Sequence, residues 1–175
     1  MAIDESLTFK PVNIALLTIS DTRKASEDTS GDILAGRIEE AGHTLAAREI
    51  SQDDKNEIAA HLHRWIDDEQ IDAVITTGGT GLTGRDVTPE ALDRVKDKDI
   101  PGFGELFRWI SYETIGVSTI QSRACAVIAR GTYIFALPGS NGAVKDGWDK
   151  ILASQLDSRH RPCNFVDLMP RLRER

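Results

Sequence analysis

The sequence predicts one α/β domain of three layers: a mostly parallel sheet with a single antiparallel strand and helices on both faces. Three observations carry that prediction. Strand-like and helix-like apolar patterns alternate along the 175 residues without an internal repeat or a linker. The run VNIALLTI (12–19) is apolar almost throughout, as a strand covered on both faces of a parallel sheet requires. One hairpin signal, Arg130-Gly131, separates two strand-like runs and supplies the antiparallel pair.

The elements follow in order. After the strand at 12–19 comes SDTRKASEDTSG (20–31), a polar loop beyond a strand's carboxyl end. Ile33, Leu34, Ile38 and Ala41 then mark one face of a helix that Gly42 closes. TLAAREI (44–50) reads as a second strand. Ile58, Leu62, Trp65 and Ile66 are spaced as one helix face, with Asp53 and Asp54 at its start and Asp54 and Glu57 spaced as a capping box. IDAVITT (71–77) is a third strand and leads directly into TTGGTGLTGRDVTPEAL (76–92). Thr88 suits an N-cap and Pro89 a first helical residue. Pro101 opens another helix, with Phe103, Leu106, Phe107 and Ile110 on one face. ACAVIA (124–129) and TYIFAL (132–137) form the hairpin, and PGSNG (138–142) is a further loop after a strand. A long helix follows, carrying Val144, Trp148, Ile151, Leu152 and Leu156. The tail RPCNFVDLMPRLRER (161–175) has two prolines and clustered charge, and reads as an extended or partner-packed segment. The domain spans 1–175, with a core at about 12–157 and terminal extensions at 1–11 and 158–175.

Composition limits the function. A chain of this length buries about 70% of its unfolded surface, and 40% apolar with 28% charged residues is ordinary for a globular domain. No apolar run is long enough to cross a bilayer. The polar, acidic start MAIDESLTFK does not resemble a secretory signal, so a cytoplasmic location is expected. The formal net charge is −7, and no basic cluster or aromatic-basic platform offers a nucleic-acid surface. Cys125 and Cys163 form no C-x-x-C pair and read as incidental thiols. His61 and His63 are two apart, so they do not share a helix face.

The glycine-rich run matches two phosphate-binding patterns by spacing and neither by context. Gly79, Gly81 and Gly84 fit G-x-G-x-x-G, but the loop follows the third strand, and its helix begins only at Thr88. Arg85-Asp86 stand where a P-loop needs Lys then Ser or Thr. What remains is a long loop of bare backbone N–H groups followed by an acidic residue. Ligands of parallel sheets bind beyond the carboxyl ends of the strands. The loops at 20–31, 78–88 and 138–142 should therefore converge on one anionic site. Asp86 also suits a turn, Asp53 an N-cap and Ser140 a helix cap, so the residue types alone leave these roles open. Arg23 or Lys24 would add local positive charge.

The segments LLTISDT, DTSGDIL, TTGGTGLTGRDVTPEAL, IPGFGELFR and FALPGS occur in that order. From about residue 12 to 165 the chain resembles the molybdopterin-binding family of molybdenum cofactor biosynthesis, the MoaB/Mog group. Its tail QLDSRHRPCNF is most similar to the MoaB branch. The resemblance implies a molybdopterin adenylyltransferase that joins AMP from ATP to the terminal phosphate of molybdopterin, with Mg²⁺, and releases pyrophosphate. It carries the family's catalytic Asp onto Asp86 and a second acidic residue onto Asp53. The family's proline is missing from QDD, which leaves Asp53 and Asp54 as alternatives. The resemblance also implies binding residues at Ser20, Asp21, Ser30, Gly31, Gly78, Gly79, Thr80, Gly81, Thr88, Pro138, Gly139 and Ser140, and Mg²⁺ held by Asp86 and Asp53. It further implies a homotrimer or hexamer and other proteins of the pathway as partners. FRWISYETIG (107–116) and the tail have aromatic residues to spare for an interface. Two other readings stay open: a non-catalytic molybdopterin carrier, and an oligomeric nucleotide-binding regulator.

Overall fold

The computed structural model describes residues 3–22 and 24–174. Six strands form one sheet: β1 (Asn13–Ile19), β2 (Thr44–Ser51), β3 (Ala73–Thr77), β4 (Lys98–Asp99), β5 (Cys125–Ala129) and β6 (Thr132–Leu137). Their order is β2-β1-β3-β6-β5-β4. The first four in that order are parallel, and β5 runs antiparallel to both β6 and β4. The two-residue β4 is too short to leave a signal in the sequence. The β5–β6 hairpin turns through Arg130 at φ +48° and Gly131 at φ +93°, the pair of positive φ values a two-residue I′ turn requires.

The helices are α1 (Thr29–Glu40), α2 (Lys55–Ile66), α3 (Thr88–Val95), α4 (Pro101–Ile115), α5 (Asn141–Gly147), α6 (Ala153–Gln155) and α7 (Phe165–Leu168). Period-two alternation sorts each central strand between two cores. Ile14 and Leu16 of β1, Ile75 of β3, and Tyr133 and Phe135 of β6 face α1, α4 and α5. Ala15 and Leu17, Val74, and Ile134 and Ala136 face α2 and α3. The sheet is thus the middle of three layers, as the continuous apolar runs predict. Among the described residues no helix is long and apolar enough to cross a membrane.

Several local expectations need correction. α1 begins at Thr29, earlier than its apolar spacing suggests, because the Asp28 side chain accepts the Gly31 N–H and caps it. Ser30 and Gly31 therefore lie in a helical turn rather than in the loop. Thr88 is not an N-cap: it is the first residue of α3, and its hydroxyl donates to the Gly78 carbonyl at 2.8 Å. Leu106 is 39% exposed, while Phe103 and Phe107 of the same helix are buried. The long last helix is interrupted by a π-helical turn at Trp148–Leu152 between α5, which ends at Gly147, and α6. The tail is not extended. Phe165 of α7 packs on Tyr133 and Phe135 at ring separations of 4.8 and 5.5 Å, and the Tyr133 hydroxyl donates to the Phe165 carbonyl. The chain start joins it there. The Ser158 hydroxyl accepts from the Lys10 N–H and donates to the Thr8 carbonyl. Cys125 is partly buried, and burial pushes its thiol up to about 11, which leaves it unreactive.

Leu62 is fully buried in the α2–α3 layer. Leu62→Ala should cost about 2–5 kcal/mol, read as a lower denaturant midpoint at an unchanged slope.

Candidate functional site

β1, β3 and β6 end in register, with Thr18 opposite Thr77 and Thr77 opposite Leu137. Their three loops leave from the same edge of the sheet. β2 ends beside them, Ser51 opposite Ile19, and adds a fourth loop that carries Asp53.

The glycine turn is shaped by crowding. Gly78 has φ +108° and Gly79 φ +64°, conformations that side chains resist. A Cβ at Gly78 would strike the Ile19 carbonyl oxygen, and one at Gly139 would lie 3.3 Å from the Gly78 Cα. Hydrogen bonds tie these backbones together. The Gly78 N–H donates to the Leu137 carbonyl at 3.0 Å, the Thr77 hydroxyl to the Pro138 carbonyl at 3.2 Å, and the Thr88 N–H to the Gly79 carbonyl at 3.0 Å. Thr80 is buried beside this turn. Ser140 caps α5 by accepting the Ala143 N–H at 3.2 Å.

Two acidic residues face this turn from different loops. The Asp86 carboxylate accepts the Thr83 N–H at 2.8 Å and the Thr83 hydroxyl at 2.7 Å. Burial alone would raise its pKa. The Thr83 bonds, the Gly81 N–H and the charge of Arg123 outweigh burial and hold it below the usual range. The α2 cap is Asp54, which accepts the Asn56 and Glu57 N–H groups at 2.7 and 3.0 Å. That leaves Asp53 outside the helix. Asp53 and Asp21 are crossed, each backbone N–H donating to the other's carboxylate at 3.0 Å. Asp21 also pairs with Arg85. A Cβ at Gly79 would lie 3.3 Å from Asp53 Oδ1, so Asp53 faces the glycine turn. Burial and then the negative charge of Asp86 push its carboxyl up.

The sequence-predicted residues thus fall into two groups. Ser20, Asp21, Asp53, Gly78, Gly79, Thr80, Gly81, Asp86, Thr88, Pro138, Gly139 and Ser140 lie at the strand ends. Ser30 and Gly31 are buried beneath, around Asp28. Asp28 has no exposure and is bound by Thr18, Gly31 and Arg48 at 2.7, 3.0 and 2.9 Å. Lys24 is exposed, and Arg23 lies outside the described residues.

Two clefts flank the loop. One, of about 490 Å³, is lined by Thr80, Gly81, Phe107, Ile115, Pro138 and Ser140, with Lys145 at its wall. The other, of about 310 Å³, is lined by Lys55, Thr83, Asp86, Glu90 and Arg123. A larger hollow of about 550 Å³ lies beside Asp97 and Arg130, at the hairpin end of the sheet and away from these loops. Lys55, Arg123 and Lys145 were not singled out by motif, and Phe107 was read only as part of a helix face and of the segment IPGFGELFR. Lys55 and Lys145 read as ordinary helix cations, and Arg123 as a residue before a strand.

A divalent cation fits the donor set. Asp53 and Asp86 supply hard oxygens, as Mg²⁺ prefers, and the Asp53 carboxyl, raised by burial and then by the charge of Asp86, is one whose ionised form a cation would favour. Among the described residues no three His, Cys, Asp or Glu side chains form a metal cage, so water and substrate oxygens would complete the shell.

The chain is similar to known proteins over most of its length. Residues 15–158 match a family model described as a probable molybdopterin binding domain. Molybdenum cofactor biosynthesis protein B of Escherichia coli (strain K12) is 47% identical over 160 residues, 91% of this chain and 94% of that protein. A crystal structure of a molybdenum cofactor biosynthesis protein B superposes with a TM-score of 0.81 at 44% identity, covering 84% of this chain and 92% of that one. The tungsten cofactor synthesizing protein MoaB from Pyrococcus furiosus superposes at 0.78 with 34% identity, covering 94% and 99%.

A carboxyl raised by folding makes the native state bind more protons than the unfolded chain, so its contribution to stability falls as pH rises through its titration range. Asp53→Asn keeps an oxygen for the Asp21 N–H and removes the charge. It should raise the melting midpoint at pH 7 by about 1–3 °C, and the gain should vanish in melts run below the ordinary carboxylate range.

Proposed function

The chain belongs to the molybdopterin-binding domain family of molybdenum cofactor biosynthesis, and on that premise we propose that it is a molybdopterin adenylyltransferase. The reaction joins AMP from ATP to the terminal phosphate of molybdopterin. A phosphate oxygen attacks the α-phosphorus, the bond to the β-phosphate breaks, and pyrophosphate leaves. One observation carries this reading: Asp53 and Asp86 stand against the same glycine turn, Asp53 at Gly79 and Asp86 at Gly81, between two clefts.

The chain's own residues have definable parts. A phosphate nucleophile is already anionic and needs no strong base, so positioning and charge stabilisation carry the catalysis. The cleft walled by Phe107 and Ile115 suits the flat pterin end. The Gly78–Gly81 backbone lies where a phosphate would join the two clefts. Thr83 and Gly81 keep Asp86 ionised at neutral pH, ready to accept a cation rather than a proton. Asp53 and Asp86 would hold Mg²⁺, whose charge when bound offsets that of the phosphates. Arg85, 68% exposed and paired with Asp21, can reach an arriving phosphate by exchanging partners. A cytoplasmic location accords with this chemistry.

We also propose that the chain works as a trimer or hexamer. Trp109, Tyr112, Ile115, Val117 and Ile120 are 73, 56, 54, 77 and 80% exposed on α4 and the turn after it, an apolar surface of the kind that marks protein contacts. Light scattering at micromolar concentration should report at least three chains per particle; a monomer would refute the assembly.

Asp86→Asn should keep the fold and molybdopterin binding, yet lower transfer of labelled AMP from ATP to molybdopterin by about 10²–10³-fold. Transfer at the wild-type rate would remove Asp86 from the mechanism. Wild-type protein that binds molybdopterin without any transfer would be a carrier. Stabilisation by nucleotide but not by molybdopterin would indicate a regulator.

A further inference from the structure

We infer that Arg123 is a positioning residue that sets the direction of the Asp86 carboxylate and the shape of the loop around it. Arg123 stands just before β5, on the far side of the loop from β3. Its Nε donates to the Gly81 carbonyl at 2.7 Å, and its Nη2 to the Asp86 carbonyl at 2.6 Å. Glu90 of α3 holds the other side of the guanidinium: Oε1 meets Nη1, and Oε2 lies 3.3 Å from Nη2.

The main chain of Arg123 adds a second route. Its N–H donates to the Thr80 carbonyl at 2.9 Å. That carbonyl shares a peptide unit with the Gly81 N–H, which lies by the Asp86 carboxylate and helps hold its carboxyl low. A peptide unit is planar, so its carbonyl and N–H point opposite ways. Fixing the Thr80 carbonyl therefore aims the Gly81 N–H at Asp86. Arg123 thus holds Asp86 at both ends, the backbone carbonyl directly and the carboxylate through Gly81.

The side chain suits the task. A guanidinium presents five donors in a rigid planar fork, and three separate acceptors are engaged here. A lysine ammonium at the same place cannot span the Gly81 and Asp86 carbonyls and the Glu90 carboxylate together. Glu90 balances the added charge, so the fork shapes the loop without leaving an unpaired cation beside the glycine turn. The catalytic consequence rests on the adenylyl-transfer reading; the structural one does not.

The test uses the full chain carrying Arg123→Lys, Arg123→Ala or Glu90→Gln. In the free protein, Arg123→Lys should speed hydrogen exchange of the Gly81 amide by about tenfold or more. Glu90→Gln, which keeps the guanidinium and loosens its anchor, should do so to a smaller degree and covers the case in which an Arg123 variant fails to fold. In turnover, Arg123→Lys should lower kcat by about ten- to a hundredfold with KM for both substrates within about twofold. Added guanidinium should restore part of the rate of Arg123→Ala. Unchanged Gly81 exchange in the folded variants would overturn the inference, as would an unchanged kcat in an enzyme that turns over. If wild-type protein shows no transfer, the adenylyl-transfer reading falls, and the Gly81 exchange alone judges Arg123.

Discussion

The candidate site depends on one close approach of backbone to backbone. Gly78 lies against the Ile19 carbonyl on one side and the Gly139 main chain on the other, and its carbonyl is fixed by the Thr88 hydroxyl. Three strand ends and the start of α3 meet at this point. No side chain fits there, and the positive φ at Gly78 and Gly79 turns the chain out of β3 so sharply that the following loop runs over the sheet edge. Asp86 is held by that loop, and Asp53 faces it from the end of β2. Both fall into place because the backbone beneath them is packed without slack.

Electrostatics then separates two kinds of carboxylate. Asp28 is fully buried but satisfied by Arg48, Thr18 and the Gly31 N–H, so it stays ionised and pins α1 to β1 and β2. Such a carboxylate contributes stability above the ordinary carboxylate range, and that stability is lost as pH falls through its lowered pKa. Asp53 has the opposite setting: burial and a like-charged neighbour raise it. A protein of net charge −7 that binds a polyanion must supply its positive charge locally. Lys55, Arg85 and Lys145 stand around the clefts, whereas the charge of Arg123 is met by Glu90. The burial of Asp53 beside the like charge of Asp86 is the kind of local cost that functional sites retain.

Much of the fold was legible because its signals are local. The apolar run at 12–19 marked a two-sided strand, Arg130-Gly131 the hairpin, and the spacing of Ile58, Leu62, Trp65 and Ile66 the buried face of α2. Thr88-Pro89 located the start of α3, although the Thr88 hydroxyl serves the glycine turn rather than the helix end. Asp54 with Glu57 signalled a cap, but the motif did not say that capping by Asp54 would release Asp53. The π-helical turn, the two-residue β4 and the packing of the tail on Tyr133 left no pattern, since each answers to partners far away in sequence.

The sequence by itself determined the order and type of the elements, the three-layer arrangement, and the loops on which an anionic site would lie. Hydrophobic period, glycine and proline act over a few residues, and these suffice for that much. Only the tertiary structure decided which atoms meet: Asp53 rather than Asp54 at the glycine turn, Ser30 and Gly31 beneath the site rather than in it, and Arg123 across 42 residues on the Gly81 carbonyl. The physical reason is that a hydrogen bond or ion pair between distant residues is selected by where packing brings their backbones, and no short-range pattern records that.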